Sequence, residues 1–330
     1  MKQRIFKIMA FLCYWLGIDA IFYFLNRKAK RIVTFHNVMP KKILPQNQKI
    51  GLTDTEEEFR MKVRILKKRF DIGTDIADDS LLVITFDDGY KNQKEIAGRI
   101  LREEGNIPAV VFVAGRMIDN NFPSDALVVD LLLHWTFLVP NGTYRLRGSI
   151  FEVTEGNRQE IWQSYIWPLF CLDNASKGRT ILQELDKQYP LQDIINSCNE
   201  EYLQLRLTGV SSSDIKELRE QGWIVGWHTQ EHFPLSKLDV AEKRYEIDSA
   251  PEDMKSVVFS YPYGELESVD QESIEIAEQT GYPFAVSNVE KMKYLTSNYF
   301  IPRMMLDGDF YQWHMQLSGL KFFLKKGRLL

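Results

Sequence analysis

Cysteine is scarce in this 330-residue chain: Cys13, Cys171 and Cys198 are odd in number and far apart. That excludes a disulfide framework and any Cys-x-x-Cys metal site. An excess of charge of one sign is also lacking. The 41 Lys and Arg against 45 Asp and Glu leave a formal net charge of −4, so no global basic field argues for nucleic acid as a partner. Internal repeats and low-complexity tracts are absent. With 45% hydrophobic residues, a chain of this length buries roughly three quarters of its unfolded surface and needs no metal to hold a core. Any metal would therefore serve chemistry. Histidine is sparse too, at five residues, His36, His134, His228, His232 and His314, yet two of them stand four apart.

One long apolar run is present, Ile8 to Leu25, interrupted only by Asp19 and flanked by Lys2, Arg4 and Lys7 before it and Arg27, Lys28, Lys30 and Arg31 after it. Its length is the minimum for crossing a bilayer. Its Leu, Ile and Phe contribute about −0.5 kcal/mol each and a central Asp costs up to about +3, so insertion is only marginally favourable. Basic residues on both sides leave orientation undetermined, and no small-x-small cleavage site follows, against a cleaved signal peptide. An interfacial helix over residues 1–31 is expected, with packing on the domain as the equal alternative. Residues 310–330, which include Phe322, Phe323 and Leu324 among Lys321, Lys325, Lys326 and Arg328, read as a second amphipathic basic helix.

Between these ends the chain alternates. Apolar, β-branched runs at Ile32–Phe35, Leu81–Phe86, Ala109–Val113, Trp223–Gly226, Val257–Ser260 and Phe284–Val286 predict buried parallel strands. Helices are expected at Asn92–Glu104, Ser213–Gln221 and Asp270–Thr280, and after a Thr53/Glu56 capping box. Repeated βα units give an α/β fold, a distorted parallel (β/α)-type barrel of about seven strands over residues 32–309, with its site at the carboxyl ends of the strands. Residues 120–210 lack this rhythm and read as a largely helical insertion.

Chemistry-bearing residues sit at two of those strand ends. Asp87 and Asp88 follow the apolar run Ile84-Thr85-Phe86 and precede Gly89. Adjacent residues point differently, so one carboxylate can bind a metal while its neighbour stays free as a general base. Taken alone, such a pair is more often a helix cap. Trp227-His228-Thr229-Gln230-Glu231-His232 follows another strand, and histidines four apart on a helical turn can grip one ion, with a carboxylate as third ligand.

Together these residues resemble the polysaccharide deacetylases of carbohydrate esterase family 4. Thr85-Phe86-Asp87-Asp88-Gly89 is similar to the family's first motif and His228-Thr229-x-x-His232 to its second. The third, Arg-x-Pro-Tyr, keeps Pro262-Tyr263 and has Ser260 in place of the Arg. Thr34-Phe35-His36-Asn37-Val38 looks like the opening of the permuted branch that deacetylates exported poly-N-acetylglucosamine, in which the early histidine is the acid. His314, the only late histidine, lies in an aromatic helical stretch where packing is expected.

The resemblance implies a hydrolase removing N-acetyl or O-acetyl groups from a polysaccharide or glycan in a bacterium, and the two basic, apolar chain ends lead one to expect it at the cytoplasmic membrane. It implies a divalent metal on Asp88, His228 and His232, with zinc foremost and cobalt, nickel, manganese or iron also suited. Asp87 would be the base, His36 the acid, the Tyr263 N–H an oxyanion donor, and Tyr261 and Tyr263 sugar contacts. Arg303, at a last strand, is expected to replace the missing Arg. Two other readings remain: a glycan-binding or membrane-surface scaffold without activity, and a protease using His228-x-x-Glu231-His232, a motif that wants the helix Phe233-Pro234 would curtail.

Overall fold

The computed structural model of the chain describes residues 2–120, 122–123, 125–172, 175–289 and 297–326. Seven strands lie in one sheet in chain order: β1 (Arg31–Phe35), β2 (Leu82–Phe86), β3 (Val110–Val113), β4 (Ile224–Trp227), β5 (Val258–Ser260), β6 (Phe284–Ser287) and β7 (Ile301–Pro302). Every neighbouring pair is parallel. The seam is bridged just past β7, where the Thr34 N–H donates to the Met304 carbonyl and the Met304 N–H to the Ile32 carbonyl, each at 2.9 Å. The sheet thus curls into the nearly closed parallel barrel expected of repeated βα units. A short segment, Ile72–Gly73, pairs with the first two residues of β2.

The strands read as apolar runs because both faces are buried. Along β2, Leu82, Ile84 and Phe86 join the core between barrel and helices, whereas Val83 packs inside the barrel with Ile32, Val110, Phe112, Val258 and Val286. The period of two puts Asp87 on that inner row, just past the strand end. Gly226 in β4 is required by crowding, since a Cβ there would stand 2.3 Å from the Val258 carbonyl oxygen.

The outer helix Glu56–Arg69 starts at a capping box two residues later than expected, Thr55 with Glu58. Thr53 instead pairs with Asn37 in a two-stranded parallel ladder. The helix Gln271–Thr280 begins at its Asp270 cap and ends at Gly281, whose φ of +96° suits glycine.

The insertion is not wholly helical. Around the helix Val128–Leu138 and several shorter ones stands an antiparallel hairpin, Gly142–Leu146 with Ser149–Val153. Tyr144, Leu146, Phe151 and Val153 alternate inward and pack with Trp135, Ile161, Phe170 and Ile181 in a second core. Its ends are stapled: the Gly209 N–H donates to Asn120 Oδ1 at 2.8 Å, and the Asp119 N–H to the Val210 carbonyl at 3.3 Å.

The N-terminal apolar run is two helices, Lys2–Trp15 and Ile18–Leu25, bent by 79° at Gly17. Among the described residues no single helix is long and apolar enough to cross a membrane. Ala10 and Cys13 pack on Met315 and Leu320, and the Tyr23 hydroxyl is hydrogen-bonded to His314 Nδ1 at 3.2 Å. His314 thus packs between the two chain ends. The C-terminal segment is likewise broken, into Phe310–Leu317 and Leu320–Lys326 around Gly319.

Candidate active site

Four strand ends converge on one rim. His36 follows β1, Asp87 and Asp88 follow β2, His228 follows β4, and Ser260 closes β5. Arg303, just beyond β7, reaches inward, so a side chain 216 residues from Asp87 meets it. Four non-glycine residues here, Asp88, Thr229, His232 and Tyr263, adopt left-handed backbone with φ between 61° and 78°. Such strain is tolerated where the surroundings fix the chain, and it clusters at functional sites.

Asp88, His228 and His232 present one ligand atom each, all within 4.8 Å of one another, and all three residues are buried. His232 Nε2 lies 3.0 Å and His228 Nε2 3.4 Å from Asp88 Oδ1. His228 Nδ1 sits 2.7 Å from the Ser260 carbonyl oxygen. A carbonyl only accepts, so Nδ1 carries a proton, and Nε2 is the ring nitrogen that faces Asp88 and can bind a cation in the neutral ring. Two histidines and one carboxylate in this arrangement fit a divalent metal with open positions. Burial alone would raise Asp88, but His232 and His228 hold its carboxyl well below the usual range. The same pairing raises His232 against the lowering effect of burial.

The histidine pair does not ride on a helix. Residues 228 to 233 form an irregular loop, kinked at Thr229 and His232, with the His232 N–H donating to Thr229 Oγ1 at 3.1 Å. The loop rests on Glu246, a buried residue of the helix Val240–Asp248, which accepts from the Glu231 N–H at 2.8 Å. Burial pushes Glu246 up to about 7. Glu231 itself turns away and pairs with Arg116 at 2.7 Å and Arg179 at 3.0 Å. That placement removes it as a base beside the histidines and leaves the protease motif without its geometry.

Asp87 is wholly buried and gripped by Arg303 through two parallel bonds, Nη1 to Oδ1 at 2.7 Å and Nη2 to Oδ2 at 2.6 Å. Burial would raise the carboxyl, but Arg303 first and His228 next bring it down to about 2. Arg303 also donates to Thr85 Oγ1 at 3.1 Å and Ser260 Oγ at 2.9 Å. The residue in place of the motif's arginine thus touches the arginine that reaches Asp87. His36 stands with Nε2 3.8 Å from Asp87 Oδ2 and keeps 13% of its side chain exposed. Burial lowers its pKa, opposed by Asp88 and Asp87. Gln93 fixes the two loops by donating to the carbonyls of His36, at 2.7 Å, and Asp87.

Tyr263 caps the site with its ring edge-on to His232 at 4.8 Å and its hydroxyl donating to the His232 carbonyl at 3.2 Å. Among the described residues no acceptor meets its backbone N–H. Tyr261 departs from expectation: it is fully buried against Phe259 and Phe300 and donates to the Tyr299 carbonyl at 2.7 Å. With its strand covered on both faces, it offers no ring to a sugar.

A cavity of about 450 Å³ opens over these groups, lined by His36, Asp88, His232 and Tyr263 from the barrel and by Trp162 and Trp167 from the insertion. Its wall also holds a triad that the sequence did not reveal: Asp130 accepts from Tyr90 at 2.6 Å and from Arg206 at 2.8 Å.

Residues 181–285 match the polysaccharide deacetylase family. The match takes in the histidine loop and Pro262-Tyr263 and stops short of Asp87 and Asp88. No curated protein matches in sequence. Among solved structures, the Streptococcus pyogenes deacetylase PplD in complex with acetate superposes with a TM-score of 0.52 at 10% identity, covering 88% of this chain and 97% of that one. IcaB from Ammonifex degensii gives 0.51 at 14%, covering 88% and 97%. A Bacillus cereus polysaccharide deacetylase gives 0.52 at 14%, covering 87% and 68%. At these identities the likeness is one of fold.

Proposed function

We propose that the chain is a polysaccharide deacetylase, a hydrolase of carbon–nitrogen bonds other than peptide bonds, which removes acetyl groups, N-linked or O-linked, from a glycan by metal-assisted hydrolysis. The family match over residues 181–285 and the shared fold support the reading. One observation carries the mechanism: three buried metal-ligating side chains share a rim with a separate carboxylate held by arginine. Asp88, His228 and His232 would hold the ion, with zinc foremost among those the donor set suits. When bound, a divalent cation supplies Lewis-acid polarisation of the acetyl carbonyl and acidifies water.

The protein's own groups do the rest. Asp87, kept ionised by Arg303, accepts the proton of the attacking water. Arg303 also fixes both carboxylate oxygens, so no reorientation is needed when the proton arrives. The Tyr263 N–H, which meets no acceptor among the described residues, is the donor for the oxyanion, a role typically worth about 3 kcal/mol. His36 hands a proton to the departing amine nitrogen. Burial makes its protonated form a stronger acid than a free imidazolium, which favours giving that proton up.

We place the protein on the surface of the bacterial cytoplasmic membrane through its two ends. On the N-terminal helix pair Ile8, Leu12, Trp15, Leu16, Ile21 and Phe24 stay exposed beside Lys7 and Arg27, the composition of an interfacial helix. Acetate release from N-acetylated oligosaccharides, with and without a chelator, tests the reading. It predicts activity lost on chelation, restored by added zinc, and abolished by Asp87→Asn. Metal and glycan binding without acetate release would leave the scaffold instead.

A further inference from the structure

Resting on the deacetylase reading, we propose that the insertion builds a dedicated sugar subsite, in which Trp162 and Trp167 stack on a pyranose ring of the glycan other than the one being deacetylated. Neither residue belongs to the strand-end motifs, and both come from the segment that interrupts the barrel.

The first observation is a break in helix geometry. From Arg158 to Leu172 the chain runs as α-helix, but Trp162–Ile166 is a π-helical turn. On an ideal α-helix, residues five apart are rotated by about 140° and face different ways. A π turn closes after i+5, so residues five apart come onto the same face. Here that places Trp162 and Trp167 together on the cavity wall, their ring centroids 5.8 Å apart and their planes inclined by 35°. Such turns cost hydrogen-bond geometry and recur at functional sites.

The second observation is continuity with the reaction centre. The Trp167 ring meets Tyr263 edge-on at 5.2 Å, and Tyr263 meets His232 at 4.8 Å. An aromatic row therefore runs from the insertion to a metal ligand. A glycan whose acetyl group lies at His232 can thus extend along this row to the two tryptophans.

Chemistry identifies the occupant. Gln159 and Gln163, exposed on the same helix, line the same cavity, and a carboxamide both donates and accepts, as a sugar hydroxyl does. Flat apolar rings bordered by neutral amides suit the apolar face and hydroxyl rim of a pyranose. A wall meant for an acyl chain would gain nothing from the amides.

The test compares mono- and tetrasaccharides of N-acetylglucosamine on the full-length, metal-loaded protein, following both acetate release and calorimetric binding. In the wild type kcat/KM should rise with chain length. Trp162→Ala should lower kcat/KM on the tetrasaccharide at least ten-fold more than on the monosaccharide, chiefly through KM, with tetrasaccharide binding weakened in parallel. Gln163→Ala, an exposed change that cannot unfold the helix, should shift the same ratio in the same direction. Equal losses on both substrates, or tetrasaccharide binding unchanged in both variants, would overturn the subsite. If no substrate releases acetate but Trp162→Ala still abolishes tetrasaccharide binding, the subsite stands and the proposed reaction fails.

Discussion

Arg303 and Asp87 form a closed fork inside the barrel mouth, both side chains fully buried, with paired contacts of 2.7 Å and 2.6 Å. Breaking such a pair from one side leaves a buried charge without compensation and costs about 3–5 kcal/mol. Arg303→Met should therefore lower stability by that order, measured by urea denaturation. Adding Asp87→Asn to it should recover much of the loss, because the remaining group is then neutral. Both variants should be inactive. If the double variant is less stable than Arg303→Met, the fork is not the source of the loss.

The acid is tested separately from the metal. His36 lies on the cavity wall with its Nε2 turned to Asp87 Oδ2 at 3.8 Å. His36→Asn should lower kcat about 100- to 10,000-fold, the range for losing a general acid, while bound metal per chain stays at the wild-type level by elemental analysis. A loss of metal in that variant would place His36 in the ligand set. His314→Ala, by contrast, should destabilise the docking of the chain ends and leave kcat within about two-fold.

Much of this was legible in the sequence. The barrel strands show as apolar runs because a parallel strand is covered on both faces, and Asp87, Asp88, His228 and His232 announce themselves by standing close together. Arg303 was reachable only by asking what compensates for Ser260. The insertion's hairpin left a faint signal, Tyr144 and Leu146 alternating with Phe151 and Val153 about Arg147-Gly148. Left-handed Thr229 and His232 left none, since neither residue type marks that conformation, and the histidine pair therefore read as helical. Gln93, Asp130, Arg206 and Glu246 were invisible for another reason. Their meaning lies in partners made close by the fold, as with Asp130 and Arg206, 76 residues apart.

Glu246 supplies a prediction from that invisible set. It holds the Glu231 N–H, the residue just before His232, so it positions a ligand without touching it. Outer partners of this kind typically cost about 10–100-fold in metal affinity when removed. Glu246→Ala should weaken zinc binding by that factor in competition with a chromophoric chelator. Glu246→Gln, whose amide oxygen still accepts, should weaken it less. Equal losses in the two variants would mean that charge, not the hydrogen bond, is what matters.

Asp19 predicts how stability depends on pH. It sits in the helix Ile18–Leu25 at 3% exposure, and neither carboxylate oxygen has a hydrogen-bond partner among the described residues. Burial raises its pKa to about 6, with Arg69 opposing. An unfolded aspartate titrates near 3.9. The folded state therefore favours the protonated acid, so Asp19 costs nothing below about pH 4, and its cost grows as pH rises from about 4 to 6 and then levels off. Two pKa units set an upper limit of about 3 kcal/mol on that cost. Asp19→Asn should be more stable than the wild type at pH 7.5 by up to that amount, and the difference should shrink toward zero near pH 4. Other carboxylates titrate over the same range in both proteins, so the difference between the two denaturation curves isolates Asp19. A difference that is constant with pH would show that folding leaves the Asp19 pKa unshifted, and one that grows on acidification would show that the carboxyl is ionised and paired in the fold; either overturns the prediction.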